Sequence, residues 1–239
     1  MNSNLVDVYV PGDAWKNIMN EMDPPRPKKE GVEKVISIVM VVVNLTLLFG
    51  LPFFENVMRA AVPWGYTPSS VVPGVPHFFG LVMLFNGVLN LLFVNTFVVG
   101  KVMAGRKKFD YSLPIMYPAI DMHVEDIMNG GSIFSGGDVE LARKKLSRAV
   151  GYACHQRAHG QVLEMLPHFL VLSFCGGLRY PFATAIYGLL GLIGRVAWIN
   201  GYLSGTPVSR YKSPLAIWVW VATIGVLINT IGTIIGCFQ

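Results

Sequence analysis

The stretch QRAHGQVLE at residues 156–164 decides the fold, because it places charge inside a segment long enough to cross a lipid bilayer. The segment around it, residues 150–178, is mainly apolar. Ionisable residues inside a membrane helix are costly and usually face other helices or a wet cavity. On a helix that turns about 100° per residue, Arg157, Gln161 and Glu164 stand at i, i+4 and i+7 and share one face. The stretch therefore predicts a membrane helix with a functional polar face.

The composition of the whole chain is that of an integral membrane protein. Of its 239 residues, 53% are hydrophobic and 14% are charged, whereas a soluble domain has about 25% charged residues. Five apolar segments of roughly 20 to 29 residues are each long enough to span a bilayer as a helix. They cover residues 35–54, 77–101, 150–178, 182–202 and 214–238. We expect an all-α integral membrane protein in contact with the lipid bilayer.

The basic residues are distributed unevenly between the two ends of these segments. Of the 19 Lys and Arg residues, five lie before residue 35, eight lie in 101–148, and two are Arg210 and Lys212. If all five segments span the membrane, these 15 residues lie on the same side of it. Such a bias places the N-terminus and the basic loops in the cytosol or matrix. A first segment lying in the interface would put the N-terminal arm on the opposite face, and the bias argues against it. The net charge of +5 therefore reflects membrane orientation and does not indicate nucleic-acid binding.

The basic side of the predicted bundle carries a candidate ligand pocket. Arg106 follows the second span, Arg157 lies about two turns into the third, and Arg210 follows the fourth. On the fourth span Arg195, Trp198 and Tyr202 stand at i, i+3 and i+7 and share one face. These groups suit a small ligand with carboxylates next to a lipid-soluble molecule. The alternative is an intramembrane polar network that only holds helices together.

The chain offers no recognisable metal site. His155 and His159 stand at i, i+4, but a zinc site needs more ligands, and the HExxH pattern is absent. We therefore predict no bound metal.

Three strings resemble a known family, the membrane-associated proteins in eicosanoid and glutathione metabolism. GRKKFDYSLPIMY at 105–117 is similar to that family's ARKKYKVEYPIMY, and residues 156–167 follow its pattern QRAHxxxLExxP. GRVAWINGYLSGTPVSR at 194–210 is similar to a third, weaker pattern that ends in an arginine. The order and spacing match across residues 79–239, and the resemblance is strongest to the branch of type 3 microsomal glutathione S-transferases. Trp198 stands where that family commonly has tyrosine.

The resemblance implies a homotrimer of four-helix membrane bundles that binds glutathione between neighbouring subunits. It implies that Arg210 is the catalytic residue and holds the glutathione sulfur as a thiolate. A free thiol has a pKa of about 8.5, so a guanidinium beside the sulfur is a physically sensible activator. The glutathione-binding residues that the resemblance implies are Arg106, Arg157, His159, Gln161, Glu164 and Tyr202.

The resemblance also divides the chain into regions. It predicts a polar arm at residues 1–34, an extra transmembrane helix and loop at 35–76, and a four-helix membrane domain at 77–239 with an inserted loop at 118–146.

Two functions remain open. One is glutathione transfer to lipophilic small molecules, or reduction of lipid hydroperoxides, in the endoplasmic reticulum or a mitochondrial membrane. The other is a non-catalytic subunit of a larger membrane complex, for example in the mitochondrial inner membrane, with the arm and insertion as contacts.

Overall fold

Five long helices make up most of the part of the chain that the computed structural model describes, residues 30–109, 139–204, 210–211 and 213–239. They are α1 (Glu30–Ala61), α2 (Phe79–Phe109), α3 (Val139–Gly177), α4 (Pro181–Tyr202) and α5 (Trp218–Cys237). The expected all-α architecture is confirmed. Most of the predicted arm at 1–34 and residues 118–138 of the predicted insertion lie outside the described residues.

Four of the described helices are long and apolar enough to cross a membrane, judged by length and composition. These are Ser37–Ala61, Phe79–Phe109, Pro181–Tyr202 and, with the short 3₁₀ turn before α5, Pro214–Cys237. The remaining long helix, α3, carries the polar face predicted above. It begins at Val139, so the last eight residues of the predicted insertion, 139–146, are helical. Their sequence, VELARKKL, is rich in residues with high helix propensity.

Helices α2 and α3 run antiparallel, because opposite ends of each meet. A side chain at Gly105, near the end of α2, would clash with the ring of His155 near the start of the α3 span. At the other end Gly177 faces Val82 and Phe79. The tight connection at 178–180 then lets α4 begin with Pro181, a residue that fits the first helical position because it has no N–H to donate. This connection is a tight hairpin between the third and fourth predicted spans.

Helix α4 is the centre of the bundle and contacts each of the other four long helices. Twelve of its 22 residues are buried, whereas only two of residues 37–61 in α1 are buried. Glycines on α4 allow close approach, because a Cβ at Gly188 would overlap Asn86 of α2 and one at Gly194 would lie 2.6 Å from the Val219 backbone nitrogen of α5. Small residues of this kind let membrane helices pack at short distance.

Two wider turns interrupt α2, a π-helical segment at Met83–Val88 and another at Phe93–Val98. At the first, the Leu89 N–H bonds to the Leu84 carbonyl, which leaves the Phe85 carbonyl without its usual donor. The Asn90 side-chain amide donates to that carbonyl at 2.8 Å. Asn86 and Asn90 are both fully buried, so they face other helices.

Helix α1 packs on the outside of the bundle through a buried carboxylate. Glu55 is fully buried, and its two oxygens accept hydrogen bonds from the Phe182 and Ala183 N–H groups at 3.2 and 2.5 Å. These are N–H groups of the first turn of α4, which have no partner within their own helix. A carboxylate also interacts favourably with the positive end of the helix dipole. Glu55 thus caps α4 from a different helix.

A second contact holds α1 against α4, one to two turns of α4 after the Glu55 cap. Pro52 lies inside α1 and has no N–H, so the Leu48 carbonyl lacks its helical donor. The buried Tyr187 hydroxyl of α4 lies 3.0 Å from both the Leu47 and Leu48 carbonyl oxygens. The predicted first span, 35–54, therefore stopped too early, because the helix continues through its proline to Ala61.

We expect Glu55→Gln to loosen α1. The amide would turn one of the two acceptors into a donor facing an N–H group, and a buried donor left without a partner costs about 1–3 kcal/mol. The midpoint of thermal unfolding in detergent should fall, and protease sites in the loop at 62–78 should become more accessible. Asn56→Gln, at the neighbouring exposed position, is the matched control. Equal stability of the two variants would contradict the capping role.

Candidate functional site

The predicted polar face of α3 exists and is exposed in the single chain. The Arg157 guanidinium and the Glu164 carboxylate form an ion pair at 3.2 Å, with 63% and 58% of their side chains exposed. The opposite face of α3 is apolar and buried, and comprises Ala158, Val162, Leu166 and Phe169. The face that carries the pair therefore points away from this chain's own bundle.

The other predicted residues of α3 divide between two faces. Gln161 is partly exposed and lies on the side of the ion pair, whereas His159 is turned by roughly 160° from Arg157 about the helix axis. The structure adds His168, which is exposed and contacts the Glu164 carbonyl through Nδ1 at 3.0 Å. His168 stands eleven residues after Arg157, so the i, i+4, i+7, i+11 spacing of the sequence could have identified it.

A second cluster forms where α4 ends and the last loop returns to α5, and we name it the Arg210 cluster: Trp198, Tyr202, Arg210 and Tyr211. The Arg210 guanidinium donates to the Tyr202 hydroxyl at 2.6 Å. Its central carbon lies 5.5 Å from the ring centres of Trp198 and Tyr202 and 4.8 Å from that of Tyr211. Cations are attracted to aromatic faces at such distances. Sequence reasoning missed Tyr211, whose only signal is that it follows Arg210.

Arg210 is positively charged, as arginine is at neutral pH, and its surroundings favour that charge. Burial of the guanidinium opposes ionisation, but its hydrogen bonds to Tyr202 and Tyr211 outweigh burial, so the pKa of Arg210 lies above its ordinary value. Trp198 and Tyr202 are 4% and 5% exposed. Arg210 therefore presents a cation that lies against two buried rings and the exposed ring of Tyr211.

Arg195 lies outside that cluster, although the helical pattern put it on the same face as Trp198 and Tyr202. It is 3% exposed, donates a short hydrogen bond to the Asn90 side-chain oxygen, and lies 4.5 Å from the ring centre of Phe169. These contacts join α4 to α2 and α3. Arg195 thus belongs to the polar network that holds the helices together, which was the alternative interpretation of the pocket residues.

Arg106 lies near the end of α2 and is partly buried, with one guanidinium nitrogen 3.6 Å from the Met103 sulfur. The end of α2 is held to α3 by Arg148, which donates to the Phe109 carbonyl at 2.5 Å. Arg106 is therefore positioned at the basic end of the bundle, as predicted from its place in the sequence.

The predicted site residues form two groups on opposite sides of α3. The buried face of α3, with Ala158 and Val162, packs in the same apolar cluster as Trp198 and Tyr202. The Arg157–Glu164 pair projects from the other face of the same helix. Among the described residues, no hydrogen bond or ion pair of Arg157 or Glu164 reaches the Arg210 cluster. One chain by itself does not bring the two groups together.

The sequence was compared with models of known protein families. The model of the MAPEG family, the membrane-associated proteins in eicosanoid and glutathione metabolism, matches residues 84–232. The match covers more than half of the 239 residues. The chain belongs to the MAPEG family. The matched region contains most of α2, the whole of α3 and α4, and most of α5, so the resemblance seen in the sequence is confirmed at the level of the family. No solved structure matches the chain.

Helix α1 lies before the part of the chain that matches the MAPEG model. The Arg157–Glu164 face and the Arg210 cluster both lie within the match. Family membership together with the four apolar helices makes the protein an integral membrane protein. Helix α1 is therefore an addition that the bundle accommodates through Glu55 and Tyr187.

We expect Asn90→Leu to destabilise the protein by about 1.5–3 kcal/mol, because a hydrogen bond to a buried charged group is lost. Adding Arg195→Met should recover part of the loss, since the unpaired buried cation is then removed as well. Unfolding of both single variants and the double variant in detergent gives the coupling energy. Asn95→Leu, at an exposed position of the same helix, is the control. Additive effects of the two substitutions would show that Arg195 and Asn90 do not interact.

Proposed function

We propose that this protein is a membrane-bound glutathione-dependent transferase or peroxidase that activates glutathione as a thiolate against lipophilic electrophiles or lipid hydroperoxides. Membership of the MAPEG family supports glutathione-dependent chemistry in a membrane. The observation that carries the proposal is the Arg157–Glu164 pair, which is exposed on α3 within a segment where charge is costly. A ligand or a second chain must cover such a pair to lower that cost.

The charges of the candidate residues match those of glutathione group for group. Glutathione has two carboxylates and one ammonium, and the proposed anchors are Arg106, Arg157 and Glu164, two cations and one anion. Charge-assisted hydrogen bonds of this kind are about twice as strong as neutral ones. Gln161, beside the pair, adds both a donor and an acceptor. Arg210 is then the cation that stabilises the glutathione sulfur as a thiolate.

The separation of the two groups supports a site that two chains build together. In one chain, α3 lies between the Arg157–Glu164 pair and the Arg210 cluster. A neighbouring copy that packs against the exposed face of α3 would bring its own Arg210 cluster to the pair. A homotrimer with glutathione at each interface has this arrangement, and we propose that oligomeric state for the protein.

The opposing proposal is an accessory subunit without catalysis. Helix α1 favours the accessory subunit, because it adds a surface that could contact other proteins. This helix lies before the MAPEG match and is bound to α4 through Glu55. The resemblance to type 3 microsomal glutathione S-transferase favours the enzyme, because Arg157, Glu164, Tyr202 and Arg210 are all present and a scaffold does not need them. We therefore propose the enzyme, in the manner of the type 3 branch.

One experiment separates these functions. The protein is purified in a mild detergent, its complex is weighed by native mass spectrometry, and glutathione is titrated into it by calorimetry. A homotrimer that binds glutathione supports the enzyme. A hetero-complex that shows no binding at millimolar glutathione supports the accessory subunit.

Arg157→Leu should abolish glutathione binding, because an anionic ligand then loses its positively charged partner. Calorimetry in detergent measures the affinity of the variant. Lys144→Leu removes a positive charge from an exposed position of the same helix and is the control. If both variants bind glutathione as the unmodified protein does, Arg157 has no part in the site.

Arg210→Ala should leave glutathione affinity nearly unchanged but raise the pKa of the bound thiol toward its free value. A rise of about two pKa units corresponds to roughly 2.7 kcal/mol of lost thiolate stabilisation. The turnover number near neutral pH should fall with little change in KM, as expected when an interaction specific to the thiolate is removed. Thiolate absorbance measured against pH is the readout, and identical titration curves would leave Arg210 as a residue that only sets membrane orientation.

A further inference from the structure

The Arg210 cluster contains buried hydrogen-bond donors that none of the described residues uses. Among those residues, no acceptor is found for the indole nitrogen of Trp198 or for Nε of Arg210. Leaving a buried donor without a partner costs about 1–3 kcal/mol. Unpaired buried groups are rare in native proteins, and each calls for an explanation. Two of them in one cluster of four residues point to a missing acceptor.

A third donor lies in the same cluster. The Tyr202 hydroxyl oxygen accepts the hydrogen bond from Arg210 at 2.6 Å, so its own hydrogen remains available to donate. Within the described ranges no acceptor for that hydrogen is found. The cluster therefore combines one cation with several N–H and O–H donors and has no carboxylate of its own. Its chemistry is that of an anion site.

The rings of the cluster hold these donors rigidly. The Trp198 ring lies edge-on to Tyr211 at 5.2 Å and to Trp220 at 6.4 Å, and it lies 6.1 Å from Tyr202. Trp198 is 4% exposed and sits among the buried residues that pack α3 against α4. A donor that packing holds in place needs no reorganisation when charge appears beside it, which is the arrangement that stabilises anions best.

We propose that the indole N–H of Trp198 is a second hydrogen-bond donor to the glutathione sulfur, beside the guanidinium of Arg210. This inference rests on the proposed function, and it gives Trp198 a role as a binding residue. The thiol gives its proton to water, and the thiolate sulfur that remains accepts hydrogen bonds from the indole and the guanidinium. The tryptophan that stands in place of the family's usual tyrosine thus supplies an N–H donor where a phenol would supply an O–H.

The test compares two ligands that differ only at the sulfur. Glutathione sulfonate carries a permanent anion in place of the thiol, whereas S-methylglutathione carries none. We expect the unmodified protein to bind the sulfonate more tightly, and Trp198→Phe to reduce that preference by about tenfold, which corresponds to about 1.4 kcal/mol. The pKa of bound glutathione, followed by thiolate absorbance, should rise in the same variant. Trp64→Phe, which alters an exposed tryptophan in the turn after α1, should leave both values unchanged.

A second variant separates the lost donor from lost packing. Replacing Trp198 with benzothienylalanine keeps the shape of the two fused rings and exchanges the N–H for sulfur. The same loss of preference in this variant supports the proposal, and an unchanged preference overturns it, whatever Trp198→Phe does to folding.

The outcomes also distinguish this inference from the proposed function. If the unmodified protein binds neither tripeptide, the proposed function fails, and thiocyanate becomes the probe. The Trp198 indole resonance is then followed by nuclear magnetic resonance in protein labelled with ¹⁵N-tryptophan. A saturable shift of that resonance with thiocyanate supports an anion site at the indole, and no shift overturns it.

Discussion

The buried Arg195 guanidinium is the contact on which the arrangement of the bundle depends. It lies in α4, donates to Asn90 of α2 and lies over the Phe169 ring of α3, so one side chain fixes three helices. A cation in an apolar interior is costly unless other groups solvate it, and any rotation of α4 would remove those groups. Trp198 and Tyr202 follow Arg195 by three and seven residues, so their direction is fixed with it.

The same contact determines where the polar face of α3 lies. Phe169 points into the bundle toward Arg195, and Ala158, Val162 and Leu166 share its face. On a helix of about 3.6 residues per turn, Arg157 and Glu164 must then point outward. Their exposure is a consequence of the core. The fold therefore places the Arg157–Glu164 pair on one surface and the Arg210 cluster elsewhere, which is the separation that the proposed two-chain site requires.

The helical periodicity of the sequence was enough to predict which polar residues of α3 share a face. The i, i+7 spacing predicted that Arg157 and Glu164 share a face, and the two side chains form an ion pair. Periodicity could not separate Arg195 from Trp198 and Tyr202, since all three share a face and differ in which neighbours surround them. Asn90 and Phe169 are distant in sequence, so only the fold shows that Arg195 is occupied by them.

Glu55 and Tyr211 were missed for a different reason. The first apolar segment was ended near Pro52, because proline usually ends a helix, but a membrane helix tolerates proline where a neighbour satisfies the freed carbonyl, here through the Tyr187 hydroxyl. Glu55 therefore fell in a predicted loop, although it is a buried residue of α1. Tyr211 stands in a short loop where no periodicity exists, and its contact with Arg210 depends on how the chain turns between α4 and α5.

The position of Glu55 also separates the role of α1 from that of the candidate site. Glu55 caps the first turn of α4, whereas Trp198 and Tyr202 lie in its last two turns. At about 1.5 Å per residue, the two ends of this 22-residue helix are roughly 30 Å apart. The cap secures the end of the central helix that lies away from the basic loops, and it makes no contact with the donors around Arg210. The surface that α1 adds is therefore separate from the proposed glutathione site, which lies at the opposite end of α4.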